Sequence, residues 1–380
     1  MGACVLHCYA DHKWTGPSEP VLRLCQGLGA IGWESELACM AAPDGKGGEL
    51  CRRAAAAGLA VHEAFGPGIW HGLRSLLRDG RALGRLLGSG RYRLVHCHGS
   101  WDHTVAGLSK ARRRAGIPLV RTDHGAREYR GGPLERLQFG PLGADHLIVL
   151  SEHHAVLAVN WLGRDTATVS TVRGAVDAGQ FAPLAPPAGQ RERLGLAEDD
   201  VVIGVVARVQ PHRRFDVLLR AAQIVKGRDP RVRIAVCGRG SHHKRVLADP
   251  VRKMGLEAVV LPLGYRGDDY KGTLATFDAG LMLVPGSDGS CRAALQMAAM
   301  AKPLIVARRG VLPDIVRDGE TGIVVEDEPD LLAEAILEMA ADPARRLRWG
   351  EAARRRMCES FSPELQAKEV ARAYERLLGS

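Results

Sequence analysis

The sequence predicts an α/β protein of two domains, each built on a parallel sheet, and three observations carry that prediction. Short apolar runs alternate with helical patterns from one end of the chain to the other, the rhythm of strands buried on both faces between crossover helices. The rhythm breaks once, at 173–195 (RGAVDAGQFAPLAPPAGQRERLG), where Pro, Gly and Ala dominate. At 380 residues the chain is also longer than one hydrophobic core usually spans.

In chain order, ACVLHCY (3–9) is the first strand. A loop containing Gly16 and Pro17 leads into EPVLRLCQGLGAIG, a helix by its apolar period. ESELACM (34–40), LVHCH (94–98), PLVRTDH (118–124) and HLIVLS (146–151) read as further strands, with TVAGLSKARRRAG among the intervening helices. Segment 68–93 sets Leu73, Leu76, Leu77, Leu83, Leu86 and Leu87 against Arg74, Arg78, Arg81 and Arg85, an apolar face and a basic one. After the break come DVVIGVVARV (200–209), VRIAVCGRG (232–240), AVVLPLG (258–264), AGLMLVPG (279–286), PLIVARRG (303–310) and TGIVVED (321–327), separated by helices. PELQAKEVARAYERLLGS ends the chain as an amphipathic helix with Leu365, Val370, Tyr374 and Leu377 near one face. The expected division is a Rossmann-like domain at 1–176, a linker at 177–197, a second domain at 198–358, and a final helix at 359–380 that crosses back to the first domain.

A net charge of +9 and a pI near 9.2 point to an anionic partner. With 18 aromatic residues and no recognisable nucleic-acid module, nucleic acid is disfavoured. No apolar run is long enough to cross a bilayer and no signal-like segment opens the sequence. Nine scattered cysteines without a CxxC pair read as reduced thiols of a cytoplasmic protein. His96, Cys97, His98 and His103 invite a metal reading, but strand alternation turns Cys97 away from His96 and His98, and no metal site is expected.

In open α/β sheets ligands lie beyond the carboxyl ends of strands. Three such loops of the second half suit phosphate. ARVQPHRRFD (207–216) carries Arg208, Arg213 and Arg214; CGRGS (237–241) is a glycine-rich turn containing Gly238. PGSDGSCRAALQ (285–296) is the best prepared. Gly286 and Gly289 allow close backbone approach, Ser290 can cap, and the helix starting at Cys291 offers free amides to an anion.

These motifs together resemble retaining glycosyltransferase family four, the glycosyltransferases group 1, of GT-B fold. DGSCRAALQMAAMAKP matches a signature of two Glu with seven residues between them, GVLPDIVRDGETGIVVEDEPDLLAEAI (310–336) matches the pattern that follows it, and ARVQPHRRFDVLL resembles the loop of an Arg and a Lys that precedes it. GPSEPVLRLCQGLGAIGWE, LVHCH, LVRTDHG and VRGAVDAGQFAP resemble the N-terminal glycine loop, two strand ends and the interdomain motif. The resemblance implies two Rossmann-like domains facing each other across a cleft, acceptor side first and nucleotide-sugar donor side second. It implies transfer of a sugar from a UDP- or GDP-sugar to the hydroxyl of a glycan or lipid-linked acceptor, in cell-envelope or polysaccharide synthesis, with no metal or other cofactor. Arg208, Arg213, Gly238, Gly289, Ser290 and Gly16 would cradle the diphosphate. Asp288 would touch the donor sugar, Gln296 the nucleotide ribose, and His124 the reaction centre, with His98 on the acceptor side. Similar enzymes dock an anionic membrane through an N-domain helix, which here would be 68–93.

Asp288 and Gln296 replace the family's two Glu, and the exchange at Gln296 is worth on the order of 1 kcal/mol of donor binding. Arg173 stands for an Asn, and Arg214, Ala301 and Val311 stand for Gly. Two further readings use the same residues: a sugar-nucleotide epimerase of this fold, and a catalytically weak or silent nucleotide-sugar binder.

Overall fold

Seven parallel strands form the sheet of the first unit: β1 (Cys4–Tyr9), β2 (Glu34–Met40), β3 (Ala60–Phe65), β4 (Tyr92–Cys97), β5 (Leu119–Thr122), β6 (His146–Val149) and β7 (Val169–Thr171), in the order β3-β2-β1-β4-β5-β6-β7. Six parallel strands form that of the second: β8 (Val201–Val206), β9 (Val232–Cys237), β10 (Val260–Gly264), β11 (Ala279–Met282), β12 (Leu304–Ala307) and β13 (Gly322–Val325), in the order β10-β9-β8-β11-β12-β13. The computed structural model describes residues 4–379 apart from 15, 44, 46, 68–71, 126, 127, 142 and 287–289. The first unit comprises Met1–Gly174 and Pro363–Ser380; the second comprises Ala175–Gly286 and Ser290–Ser362.

Both sheets reverse their winding beside their first strand, between β1 and β4 and between β8 and β11. Loops leaving the carboxyl ends at such a reversal diverge and leave a crevice. The central strands are buried on both faces, β1 along its whole length and β8 except at Val206, which is why they read as apolar runs, interrupted in β1 by His7 alone. β3 (AVHEAF) and β7 (VST) were not legible as strands. They are the two edges of the first sheet, short or half-exposed, and edge strands need no apolar run.

Segment 177–197, expected as a linker, packs into the second unit. Phe181, Leu194 and Leu196 are buried in its core, and the Val176 amide donates to the Phe361 carbonyl at 2.8 Å. The last helix, Pro363–Leu378, packs on the helix Ser18–Ala30 within the first unit, burying Ala367, Val370, Ala371, Ala373 and Tyr374. The expectation of reduced thiols is corrected at one pair: Cys39, in β2, and Cys51, in the helix Glu49–Ala56, form a disulfide. Six of the other cysteines are buried as small apolar side chains, and Cys358 is exposed.

Candidate functional site

In the second unit the phosphate-prone loops follow β8 and β11, which flank the reversal, and β9, the other neighbour of β8. The loop after β8 is tied to its neighbour: Ala207 N donates to Cys237 O at 3.0 Å and Val209 N to Arg239 O at 3.2 Å. This contact explains Gly238 and Gly240. A Cβ on Gly238 would stand 1.8 Å from Ala207 O, and one on Gly240 would stand 2.1 Å from Val209 O. The Gly-rich turn therefore serves close packing between loops.

Arg208 is exposed and makes no hydrogen bond or ion pair among the described residues. Its charge, with that of Arg213, helps hold His212 below the ordinary imidazole range, after desolvation. Arg213 Nη1 donates to Val284 O at 3.1 Å and also to Pro285 O, tying the β8 loop to the start of the β11 loop. Arg214 pairs instead with Asp327 at 2.6 Å. Asp288 and Gly289 lie outside the described residues. Ser290, which follows them, is buried at 5% exposure, and its Oγ has no hydrogen-bond partner among the described residues. A buried hydroxyl without a partner is costly, and the adjoining helix Arg292–Ala299 begins just beyond it. Gln296, half-buried on that helix, accepts from Tyr270 OH at 2.7 Å through Oε1. Two of the family's glycine positions, Arg214 and Ala301, have φ of 57°, so the departures occupy left-handed backbone.

In the first unit, Gly16 takes φ 57° in the loop after β1. His124 follows β5 and is half-buried. Burial first, then the Arg121 guanidinium, keeps its imidazole neutral. Asp123 braces its loop, accepting from Gly125 N at 2.9 Å and Tyr129 OH at 2.6 Å. His98 was expected to meet the acceptor. The structure places it inside, 2% exposed, with Nδ1 3.1 Å from His124 Nε2 and Nε2 3.1 Å from His7 Nδ1. It therefore has no ring nitrogen left for an acceptor.

Asp102, buried, receives His98 N and Gly99 N at 2.9 Å and Ala10 N at 3.2 Å, joining the loops after β1 and β4. Burial outweighs these bonds and raises its carboxyl to about 6. His96 is held by Tyr374 OH at 2.6 Å and Thr122 Oγ1 at 2.7 Å. His103 turns to Gly143 O at 2.7 Å, away from any cluster with His96. His154 is buried against Ser151 Oγ at 2.7 Å. Sequence reasoning missed His7, Asp102, Thr122 and Tyr374. A signal existed for His7: a histidine within an otherwise apolar strand, in register with His96 of β4.

The profile of Glycosyltransferase Family 4 matches residues 15–180, and that of Glycosyl transferases group 1 matches 188–356. A D-inositol 3-phosphate glycosyltransferase from Kribbella flavida is 31% identical over 312 residues, covering 75% of this chain and 71% of that one. Another from Kineococcus radiotolerans is 31% identical over 320 residues, covering 75% and 72%. Among solved structures, a glycosyltransferase from Rickettsia africae is similar with a TM-score of 0.83 at 16% identity, over 99% of both chains. Anabaena HepE in complex with UDP and glucose gives 0.79 at 17% identity, over 98% of this chain and 100% of that one. At such identities the solved structures speak for the fold alone, two Rossmann-like halves of the GT-B kind.

Proposed function

The chain belongs to glycosyltransferase family 4, the glycosyl transferases group 1, with a GT-B fold, and on that premise we propose that it transfers a sugar from a UDP- or GDP-sugar to an acceptor hydroxyl with retention at the anomeric carbon. The carrying observation is the pair of unsatisfied groups beside the β8/β11 reversal: Arg208 with no partner among the described residues, and Ser290 Oγ buried without one. A departing nucleotide diphosphate needs fixed positive charge and donors where its own charge grows. Arg208, Arg213 and Ser290 supply these, and no metal enters the scheme. Asp288 and Gly289 are assigned the donor sugar and diphosphate by family resemblance, Gln296 the ribose, and His124 the positioning of the sugar. Gly16 is assigned the diphosphate as well; Gly238 acts by letting its loop pack.

UDP is the first nucleotide to try, since HepE was solved with it. D-inositol 3-phosphate, which names several relatives, is the first acceptor. Glycan or lipid-linked acceptors of envelope or polysaccharide synthesis come next. The helix Leu73–Leu87 exposes Leu73 and Leu77 together with Arg74, Arg78, Arg81 and Arg85, which suits peripheral contact with an anionic membrane. No helix among the described residues is long and apolar enough to cross one. Isothermal titration with UDP and GDP tests the donor site: silence toward both at millimolar concentration refutes it. Nucleotide release from the sugar donors, with and without acceptor, separates a transferase from a binder. Flotation with neutral and anionic vesicles tests the membrane contact, which fails if neither is bound.

A further inference from the structure

Histidines from three loops and strands of the first unit form a continuous line running inward from His124. His124 Nε2 lies 3.1 Å from His98 Nδ1, His98 Nε2 lies 3.1 Å from His7 Nδ1, and His7 Nε2 lies 3.5 Å from Ser35 Oγ. His7 is fully buried and His98 nearly so. Burial holds His7, His98 and His124 below the ordinary imidazole range, so all three are neutral at pH 7. A neutral imidazole has one donor nitrogen and one acceptor nitrogen. Three in a line can therefore be protonated in only two concerted ways, with every N–H pointing inward or every one pointing outward. His124 Nδ1 has no partner among the described residues, so the direction of the line decides whether it is a lone pair or an N–H.

We propose that His98 and His7 are positioning residues for glycosyl transfer, holding His124 as the Nε2–H tautomer so that its Nδ1 offers a lone pair to the reacting sugar. In this state His124 Nε2–H donates to His98 Nδ1, His98 Nε2–H donates to His7 Nδ1, and His7 Nε2–H donates to the Ser35 hydroxyl, which can accept it. A lone pair suits a carbon that gains positive charge as its bond to phosphate breaks, whereas an N–H dipole opposes it. The inference rests on the role of His124 given above.

His96 frames the line without joining it. Its ring centroid is 4.1 Å from that of His98 at an interplanar angle of 35°, and Tyr374 and Thr122 occupy its nitrogens. His7, His96 and His98 each bring a nitrogen within 4.8 Å of the others, the makings of a transition-metal site. Both ring nitrogens of His96 and of His98 already have protein partners, so the hydrogen-bonded line is the better account.

The test is nitrogen-15 NMR of the full chain with labelled histidine, alongside steady-state kinetics. In the wild type, His124 should carry its proton on Nε2. His7→Leu strands a buried N–H on His98, so the line should reverse: His124 becomes the Nδ1–H form and kcat falls about tenfold or more, with donor KM within about twofold. His7→Asn, whose amide oxygen can take the place of Nδ1 as acceptor, should restore the tautomer and most of kcat. A merely structural His7 would lower the unfolding temperature and leave the tautomer alone. Wild-type His124 protonated on Nδ1, or an unchanged tautomer in His7→Leu, overturns the relay. So does stoichiometric Zn²⁺ binding that His7→Leu abolishes. Unimpaired transfer by His124→Ala would instead overturn the role of His124 itself, whatever the tautomers show.

Discussion

Lowering the pH from 7.5 to 5.5 should destabilise the first unit far more than the second. His7, His96, His98, His103 and His146 are all buried in the first unit and all held below the ordinary imidazole range, His7 at about 3 and His103 and His146 at about 4. Desolvation is the leading cause in each case. A depressed imidazole pKa means the unfolded chain binds protons that the folded chain refuses. Stability is therefore full above about 6.5 and declines as the pH falls from there toward the folded values. At pH 5.5 the neutral imidazoles of His7, His103 and His146 together cost about 4 kcal/mol relative to the unfolded chain, and His96 and His98 act in the same direction. Asp102, raised to about 6 by burial, works the other way, since it gains a proton more readily when folded. It returns about 1 kcal/mol over the same interval, leaving a net loss of about 3 kcal/mol before His96 and His98 are counted. That is a large part of the stability of a typical domain, about 5–15 kcal/mol. In the second unit only His212 is shifted among the described histidines, and it sits on an exposed loop. Urea unfolding followed by circular dichroism at both pH values, with limited proteolysis to locate the change, provides the assay. Coincident curves at the two pH values, or acid cleavage beginning in residues 175–362, would refute the reasoning.

Three substitutions extend the argument. Ala301→Gly should raise stability by about 0.5–1 kcal/mol, because Ala301 holds φ 57°, where glycine has no Cβ penalty; an unchanged or lower urea midpoint counts against it. Gly238→Ala places a methyl 1.8 Å from Ala207 O and should cost about 1–3 kcal/mol while weakening UDP binding through displacement of the Arg208 loop. Wild-type values for both midpoint and affinity would show that the loops do not need this contact. Gln296→Glu keeps the acceptor for Tyr270 OH and adds a charge, so UDP should bind up to about fivefold more tightly, near 1 kcal/mol. Titration calorimetry reads this directly, and weaker binding would remove Gln296 from the ribose.

The apolar runs of the central strands and the polar loops at their ends were enough to place Arg208, Arg213, Ser290 and His124 after strands, because a strand buried on both faces has little freedom in composition. The thirteen strands among the described residues bear this out: eleven follow from the sequence, and the two that do not, β3 and β7, are edges where the compositional demand lapses. Tertiary structure decided what the sequence had no means to encode locally. Segment 177–197 reads as a linker by its Pro and Gly content, yet three large side chains bury it in the second unit. His98 reads as an acceptor-side residue at the end of a strand, yet the pairing of β1 with β4 sets it against His7 and removes it from solvent.

By itself, then, the sequence determined the fold class, the order of the elements and which loops carry charge, since periodicity and composition are local properties that water reads residue by residue. Only the folded structure decided which distant groups meet. Tyr374, on the last helix, holds His96 across 278 positions of chain because two helices pack through small residues. The direction of a histidine's proton depends on such partners, and no neighbour in sequence can supply them.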